Sequence, residues 1–463
     1  MYYKMILAYC FFFSRFDILY AFELPEEIFR YKKNKYEHYL NPDWAKNSSF
    51  SPSYNDSAIT MDLDKYIVDI GLFQNNHGSC LYIYGQFLHH SGFYTNLHSR
   101  VVSNPNLFEN FSGKIQNRKR LNFNAGEINI SAIGYANDIF FMEWKRGREE
   151  WGAGKDIQLV LSKNANAYDY FNFGLDIGKV RFRFLHGQLD SDSSSIHRYI
   201  IAKGLEWTNK KSMLFSITET VIYSGLNRMV DYAYLNPVSS HLEIELNERA
   251  GVLGTDAGNA IWTISADWKL NPRFRISANI LIDELVLDKS QRENNKNSSL
   301  GLSTKLEFLS SFNKHVKNSF NITLISIGIP TYRHEDGMNN FINRAKPIGN
   351  NLGSDCYELS MGTNTIFFNE ILLNTAVGVF ESGDNNIISS PYTPYLPESY
   401  YSNQFPSGAS KKRSFFRLNL DYLYKNNFSL FLDSEISISS SKKSVFDINF
   451  GFNYYIKLKK DVY

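Results

Sequence analysis

The sequence predicts an all-β protein, a transmembrane antiparallel up-and-down β-barrel of about 16–18 strands with a small N-terminal helical or loop segment. Three observations lead to this prediction. Apolar and polar residues alternate along many segments, these segments reach about 10 residues, and the links between them are alternately short and long. Strands of a soluble sandwich also alternate but average about 5 or 6 residues, so segment length favours the barrel.

The composition excludes several other classes of protein. The chain has 463 residues, with 49 Lys and Arg against 47 Asp and Glu, and this balance gives no support to a nucleic-acid partner. Aromatic residues make up 16% of the chain, whereas a disordered chain would lack them. After the N-terminus no uncharged apolar run approaches the roughly 18 residues of a transmembrane helix, which excludes a helical membrane protein.

Two segments are predicted to precede the barrel, which we place at residues 63–463. Residues 1–21 have the pattern of a secretory signal peptide, because Lys4 precedes the apolar stretch Met5–Phe13 and Ala21 suits cleavage. An ordinary first strand is the alternative. Residues 22–62 are predicted to be a periplasmic or plug segment with a short amphipathic helix in Glu23–Tyr39. A disordered leader is the alternative there.

The clearest strand pattern lies between residues 260 and 282. Apolar and polar residues alternate from Trp262 to Leu270 and again from Phe274 to Ile282, so each set lies on its own face of a strand. The intervening Asn271-Pro272 is a turn signal, and it predicts that the two strands form a hairpin. The same alternation predicts further strands in residues 300–308, 416–424, 428–438 and 446–458.

Connection lengths alternate in the way expected of an up-and-down barrel. After the tight Asn271-Pro272 link come a long polar loop, a shorter link and another long loop, at residues 283–298, 310–317 and 331–355. Ser440–Lys443 is short where the rule requires a long loop. Further upstream the rule predicts short links at 178–179 and 208–212, and long loops at 91–120 and 147–169. About sixteen strands result, with one further pair in 63–73 or 228–245.

In such a barrel the apolar strand faces meet lipid and the polar faces meet the lumen. The polar faces here carry charges of both signs, which can pair laterally between neighbouring strands. We expect this pairing to suit a crowded interior better than a wide selective pore. The alternative is the solvated face of a soluble sheet. The charged residues concerned are Arg181, Arg183, Asp267, Lys269, Arg273, Arg275, Lys305, Glu307, Arg417, Asp421, Asp433 and Glu435.

The sequence lacks the motifs of common catalytic and cofactor sites. It contains no phosphate-binding glycine loop, nucleophile elbow or zinc-ligand spacing. His89 and His90 are adjacent, so on a strand they would face opposite ways and could not share a metal. We therefore expect no catalytic residue, no cofactor, no metal and no enzymatic activity.

Basic residues cluster at the predicted external ends of strands. They are either edge charges that hold strand ends in water, or groups that meet lipid phosphates or an acidic surface polysaccharide. Tyrosines in the loop at residues 391–401 are expected to form the core of that loop rather than a sugar-stacking surface. The basic clusters are Arg118, Lys119 and Arg120, then Lys411, Lys412 and Arg413, and finally Lys442 and Lys443.

A family resemblance is concentrated in residues 140–165. The segment Phe141–Arg146, the turn Trp151–Gly154 and the segment Leu159–Ala165 resemble the Wzi-like capsule assembly proteins. These proteins show an Arg-bearing strand, a W-G-P-G turn and an L-x-L-S-x-N-A strand, so Ala153 stands in place of a proline. Further matches follow in order at residues 206–207, 234–237, 282–284 and 347–355, and the resemblance spans roughly residues 120–380.

The resemblance implies a bacterial outer-membrane barrel closed by an N-terminal helical element. It further implies a surface lectin that holds exported capsular polysaccharide without catalysing a reaction, with outer-membrane lipid as its other partner. Two alternatives are an outer-membrane porin or solute channel and a secreted all-β carbohydrate-active enzyme. The residues that fall on the family motifs, several of them expected to be architectural, are Arg146, Trp151, Gly152, Gly154, Ser162, Asn164, Asn236, Pro237, Gly353 and Asp355.

Overall fold

The structure is a computed structural model that describes ten parts of the chain. These are residues 32, 47–50, 64–190, 195–250, 258–284, 298–313, 315–394, 404–424, 427–439 and 444–462. The predicted signal peptide and most of the predicted plug segment therefore lie outside the described residues. The described part is almost entirely β-structure, with two short α-helices and two 3-10 turns.

Twenty-one strands follow one another along the described part of the chain. They are β1 (Asp64–Asn75), β2 (Gly78–Leu88), β3 (Phe93–Val102), β4 (Ile115–Arg120), β5 (Phe123–Ala136), β6 (Phe140–Gly147), β7 (Tyr168–Ile177), β8 (Val180–Leu189), β9 (Ile196–Thr208), β10 (Met213–Leu226), β11 (Asn259–Asn271), β12 (Phe274–Glu284), β13 (Ser299–Asn313), β14 (Val316–Ile327), β15 (Ile342–Asn343), β16 (Lys346–Pro347), β17 (Cys356–Phe367), β18 (Ile371–Ser382), β19 (Lys411–Tyr424), β20 (Phe428–Ser439) and β21 (Ser444–Val462).

Eighteen of these strands form a closed antiparallel barrel, as the sequence predicts. Consecutive barrel strands pair with each other, and β1 also pairs with β21 from Asp64 opposite Val462 to Asn75 opposite Gly451. The short β4 pairs only with β5, and β15 and β16 form a separate two-residue ribbon. Closure means that the sheet has no open edge along the barrel wall.

The two ends of the barrel differ as the connection lengths predict. At one end the strands are joined by tight turns, and several of these turns are held by asparagine side chains. Asn209 Oδ1, for example, accepts hydrogen bonds from three successive backbone N–H groups, which fixes the turn between β9 and β10. The opposite end carries the long connections, and we call it the long-loop end. The link between Ser439 and Ser444 at this end is short, and it is the exception to the rule that the sequence already shows.

Two element predictions were wrong. Residues 91–120 were predicted to be one long loop, but they contain β3 and β4. Strand β3 was missed because it carries polar side chains on both faces, which makes its alternation weak. Residues 228–245, offered as a possible strand pair, form α1 (Tyr232–Leu235) and α2 (His241–Leu246) instead. The other segment suggested for the additional strands, residues 63–73, lies almost entirely in β1. Of the two alternatives, this one is therefore confirmed.

The strands place charge inside the barrel and apolar side chains outside it. On β11, Trp268 is 48% exposed on the outer face, whereas its neighbour Asp267 is 3% exposed on the inner face. Similar alternation brings Leu302 and Leu306 of β13 outward and buries Lys305 and Glu307. Among the described residues, none of the helices has the length and apolar character that a membrane crossing requires.

The segment between β10 and β11 folds back over the outside of the barrel. We call residues 227–250 the outer flap. Asp231 caps α1 by accepting from Ala233 N, and Ser240 caps α2 by accepting from Glu243 N. Ile244 of α2 is fully buried in a cluster with outward side chains of β8, β9 and β10. The outer flap therefore covers part of the barrel wall rather than the lumen.

Candidate functional site

The candidate site is the barrel lumen together with the loops that fold into it. Residues 47–50 lie inside, where the backbone N–H and the hydroxyl of Ser49 donate to Glu206 Oε2 at 2.5 and 2.7 Å. Arg181 Nη1 donates to the carbonyl oxygen of Asn47 at 2.7 Å, and Asn47 Nδ2 donates to Asp267 Oδ2 at 3.1 Å. This short N-terminal piece thus joins β8 and β9 to β11 across the interior.

Charged side chains on the inner wall pair laterally, which confirms the prediction from the sequence. Arg181 and Glu206 are directly opposite on β8 and β9, with 2.6 Å between Nη1 and Oε1. Arg275 Nε donates to Asp267 Oδ1 at 2.8 Å, and Arg275 Nη1 lies 3.8 Å from Glu307 Oε2. These groups are almost fully buried, so each charge is compensated where water is scarce.

A second group of charges connects the last barrel strands. Arg417 of β19 lies directly opposite Glu435 of β20, and its Nε donates to Glu435 Oε2 at 2.8 Å. The same guanidinium reaches Glu358 of β17, with 3.4 Å between Nη2 and Oε2. Lys32 Nζ, from the N-terminal region, lies 2.6 Å from Asp421 Oδ1. The pairing therefore continues around the inner wall on both sides of the lumen.

The loop between β6 and β7 enters the lumen and carries the turn Trp151–Gly154. The Trp151 ring is buried, lies edge-on to Phe50 at 4.9 Å and donates from Nε1 to Glu149 Oε2 at 3.1 Å. Gly152 has a φ of +135°, and a Cβ there would lie 2.9 Å from Asn279 Oδ1. Gly154, at a φ of +73°, packs as closely on Ser277. These two glycines let the turn lie against β12.

Ala153 stands where the sequence resemblance places a proline, and its backbone N–H takes part in a hydrogen bond. Ala153 N donates to Asn279 Oδ1 at 2.7 Å, and Asn279 Nδ2 donates back to the Ala153 carbonyl at 2.9 Å. Proline has no N–H and could not form the first of these bonds. The turn is therefore fixed to β12 through Ala153.

A second loop, at residues 328–355, packs on the first. The Tyr332 hydroxyl donates to the Leu159 carbonyl, and Ser162 Oγ donates to the Gly349 carbonyl at 2.6 Å. Leu159 and Tyr332 belong to one buried hydrophobic cluster to which eight barrel strands contribute side chains. Asn164 is half-buried beside Ser162, whose Oγ accepts from its N–H at 3.3 Å. The two loops thus form a continuous inner core.

Gly353 and Asp355 connect the second loop to the loop after β18. Asp355 is fully buried, and its carboxylate accepts from Ser407 N at 2.8 Å, from Ser407 Oγ at 2.6 Å and from Asn385 N at 3.1 Å. Gly353 has a φ of +79°, and a Cβ there would collide with Asn386. Both residues therefore join loops to each other.

The remaining motif residues lie away from this core. Arg146 faces outward on β6 and donates to Asp169 Oδ2 at 2.7 Å and to the Ile128 carbonyl at 2.9 Å. Asn236 ends α1 in the outer flap and accepts from Val238 N at 3.1 Å, and Pro237 follows it. The structure thus brings Trp151, Gly152, Gly154, Ser162 and Asn164 together, but not Arg146, Asn236 or Pro237.

Two of the basic clusters, at residues 118–120 and 411–413, lie in described strands at the long-loop end. Lys411 and Lys412 are exposed at the start of β19, and Lys412 Nζ lies 3.9 Å from Glu381 Oε2. Arg413 faces inward, 4.9 Å from the centre of the Phe380 ring and 3.0 Å from Glu435 Oε1. Arg118, Lys119 and Arg120 lie on β4 with side chains outside the described part. The third cluster, Lys442 and Lys443, also lies outside it.

Sequence reasoning missed one buried charged cluster on β6. Lys145 faces the lumen with Nζ 3.3 Å from Glu149 Oε1 and 3.9 Å from Glu143 Oε1, and the Tyr170 hydroxyl donates to Glu149 Oε1 at 2.6 Å. The alternation of Lys145 with outward Trp144 was the signal that could have placed it inside.

One sequence prediction about metal binding was wrong in its geometry. His89 and His90 follow the last residue of β2 and lie in a turn, so their side chains are not forced to opposite faces. His90 Nδ1 lies 3.0 Å from Asp64 Oδ1, and His89 Nε2 lies 3.9 Å from Asp64 Oδ2. One ligand atom from each residue lies within 4.8 Å of the others, close enough for a shared cation.

Comparison with known proteins finds a similar fold among solved β-barrel structures. No protein-family model matches the sequence, and no curated protein matches it. Wzi of Escherichia coli, described as a carbohydrate-binding outer-membrane β-barrel involved in group 1 capsule assembly, is similar over 92% of this chain and 97% of its own, with a TM-score of 0.60 and 11% identity. OprD of Pseudomonas aeruginosa covers 92% of this chain and 99% of its own, with a TM-score of 0.46 and 7% identity. The resemblance seen in the motifs is confirmed as a likeness of fold, and the chain is a closed β-barrel built like that of Wzi.

Proposed function

We propose that this protein is a non-enzymatic outer-membrane barrel that binds surface polysaccharide of the capsular type and retains it at the cell surface. The observation that carries the proposal is the lumen filled by the protein's own segments, in a barrel whose fold matches a carbohydrate-binding one. Such a barrel has its accessible polar groups on the loops at one end. The function then lies in binding rather than in passage or in catalysis.

The contents of the lumen favour this function over a channel. Phe50, Trp151 and Leu159 belong to a buried hydrophobic cluster that inward side chains of the barrel wall complete. Segments from both long inner loops and from residues 47–50 hydrogen-bond to the wall strands. Channels of this architecture keep a polar, water-filled interior, and an apolar core in the lumen opposes the passage of solutes.

The long-loop end offers groups suited to a hydroxyl-rich or acidic polymer. Lys411 and Lys412 are exposed there, and Lys346 and Arg344 lie at a loop tip where they donate to carbonyl oxygens of residues 109 and 112. Ammonium and guanidinium groups donate hydrogen bonds to sugar hydroxyls and attract carboxylates of an acidic chain. The four cations therefore provide a basic margin around the filled lumen.

A deletion experiment tests the proposal directly. Cells that lack the protein are expected to synthesise the same amount of surface polysaccharide but to release it into the medium, and the measurement is the ratio of cell-bound to soluble polymer. Normal retention in the deletion strain would contradict the proposal. Purified protein in a planar bilayer is expected to show no steady conductance, and a stable open conductance would favour the solute channel instead.

Charge-reversal variants sharpen the test. The double variant Lys411→Glu/Lys412→Glu is expected to lower the cell-bound fraction of an acidic polymer. Lys210→Glu/Lys211→Glu makes the same charge change in the tight turn before β10, at the opposite end of the barrel, and is the matched control. Equal retention by the two variants would mean that the basic margin at the long-loop end takes no part in binding.

A further inference from the structure

The outer wall of the barrel changes character halfway along β10. Side chains at alternate positions of this strand all point outward, yet the first three are exposed and the next three are buried. They are Met213, Phe215 and Ile217, followed by Glu219, Val221 and Tyr223. The change occurs where the outer flap begins to cover the wall, because Glu219, Val221 and Tyr223 all contact flap residues or cluster with them.

The exposed apolar run on this side is too short for a membrane. From Met213 to Ile217 the rise is about 10 Å, taking about 3.3 Å per residue and a strand tilt of about 40°. On β13 the exposed apolar run extends from Leu300 to Phe308, which gives about 20 Å on the same basis. The apolar band of an outer-membrane barrel is about 25 Å tall. Strand β10 thus supplies only about two-fifths of the required height.

The outer flap supplies apolar surface at the missing level. Its outer side carries seven exposed large apolar residues, among them Met229 at 81% exposure and Leu246 at 72%. Isolated exposed apolar residues are common on proteins, but seven within one short segment form a patch. This patch continues the exposed run of β10 toward the long-loop end. The seven residues are Met229, Val230, Tyr232, Leu235, Val238, Leu242 and Leu246.

Helix α2 presents three distinct faces. His241 and Ile244 are buried against the barrel wall. Leu242 and Leu246, four residues apart and therefore neighbours on one face, are exposed. Asn247, just beyond the helix, donates from Nδ2 to Glu243 Oε1 at 3.2 Å on a third, polar side. A helix at the boundary between barrel, hydrocarbon and water needs this division.

We propose that the outer flap is a membrane-embedded part of the barrel wall, with Leu242, Leu246 and their apolar neighbours in contact with the lipids of the outer leaflet. The occupant is lipid because the patch continues the lipid-facing belt of the strands and lies at the height where that belt is interrupted. The flap also covers an ion pair between Lys203 and Glu219, which hydrocarbon would otherwise meet. The inference requires the outer-membrane barrel and is independent of polysaccharide binding.

Nitroxide labels report whether the patch meets lipid. Cysteines are introduced singly at Leu242 and Leu246 in a Cys10→Ser background, since the native Cys80 and Cys356 are buried. A label at Leu302 on β13 provides the lipid-facing reference, and one at Asn247 the water-facing control. The purified full-length protein is reconstituted in phospholipid vesicles, and collision rates with oxygen and with a water-soluble nickel chelate are measured.

The labels at Leu242 and Leu246 are expected to collide with oxygen in preference to the nickel chelate, with a ratio within about twofold of the Leu302 reference. The Asn247 label is expected to favour the chelate. Chelate accessibility at Leu242 and Leu246 equal to that at Asn247 would overturn the proposal. Protection from both reagents, with cross-linking between protomers, would also overturn it in favour of a second copy of this chain. A label at Met229 repeats the measurement if either leucine variant fails to fold.

Discussion

Lys203 and Glu219 form an ion pair on the outside of the barrel, at directly opposite positions of β9 and β10 with 2.7 Å between Nζ and Oε2. The next outward residues toward the tight turns are Leu205 and Ile217, both exposed. The outer flap encloses the pair, because the Ser239 carbonyl accepts from Lys203 and the backbone N–H of His241 donates to Glu219 Oε1 at 3.0 Å. A polar contact therefore fixes the flap to an otherwise apolar wall.

Removal of one charge of this pair should cost more than removal of both. Glu219→Ala leaves the buried Lys203 ammonium without its carboxylate, and we expect the free energy of unfolding to fall by about 3–5 kcal/mol. Lys203→Met/Glu219→Gln removes both charges and keeps an acceptor for His241 N–H, so we expect less than half of that loss. Urea unfolding in vesicles, followed by tryptophan fluorescence, measures both. Equal losses would show that pairing contributes little.

Gly152 should tolerate alanine less well than Gly178. Both have positive φ values, +135° and +62°, so alanine is strained at either position. Only at Gly152 would the added Cβ meet a neighbour, because it would lie 2.9 Å from Asn279 Oδ1. We expect Gly152→Ala to lower the stability by about 1–3 kcal/mol more than Gly178→Ala. The temperature at which each folded barrel loses its anomalous gel migration reports the difference. Equal temperatures would mean that the turn shifts away from β12 at little cost.

Asp355 should hold two external loops together. Asp355→Ala leaves the buried N–H groups of Ser407 and Asn385 without their acceptor, at about 1–3 kcal/mol for each unsatisfied donor. We expect faster proteolysis within residues 383–410 on intact cells. Asp384→Ala removes a neighbouring carboxylate that accepts from Ala409 N in an exposed position, and it is the matched control. Equal cleavage of both variants would contradict a clamping role for Asp355.

Much of the barrel could be predicted because alternation along a strand is a local property. Trp268 and Asp267 follow directly in sequence, and their opposite exposures follow from the two-residue period of a strand. Strand β3 could not be found in this way, since its inner face carries Asn96, His98 and Arg100 and its outer face includes Thr95 and Ser99. The apolar residues of its outer face, Phe93, Leu97 and Val101, are thus interrupted by polar ones, and the two-residue period has little contrast.

The candidate site was harder to predict, because a loop has no regular period from which one could infer whether it lies inside or outside the barrel wall. The motif residues Trp151 and Ser162 were located, but their burial inside the barrel depends on contacts with Phe50 and Gly349, which are far away in sequence. The outer flap shows the same difficulty. Lys203 and Glu219 interrupt the apolar outer face, and only the flap that covers them explains why they are tolerated.

The pairing of β1 with β21 has a consequence for biogenesis. Asp64 meets Val462, so nearly all of the described chain separates the two sides of this seam. The ring cannot be sealed until the last strand has been delivered, and until then β1 exposes a row of unsatisfied backbone groups to any other strand in its surroundings. An assembly factor that shields this first edge would therefore have to hold it for almost the whole time of synthesis and export.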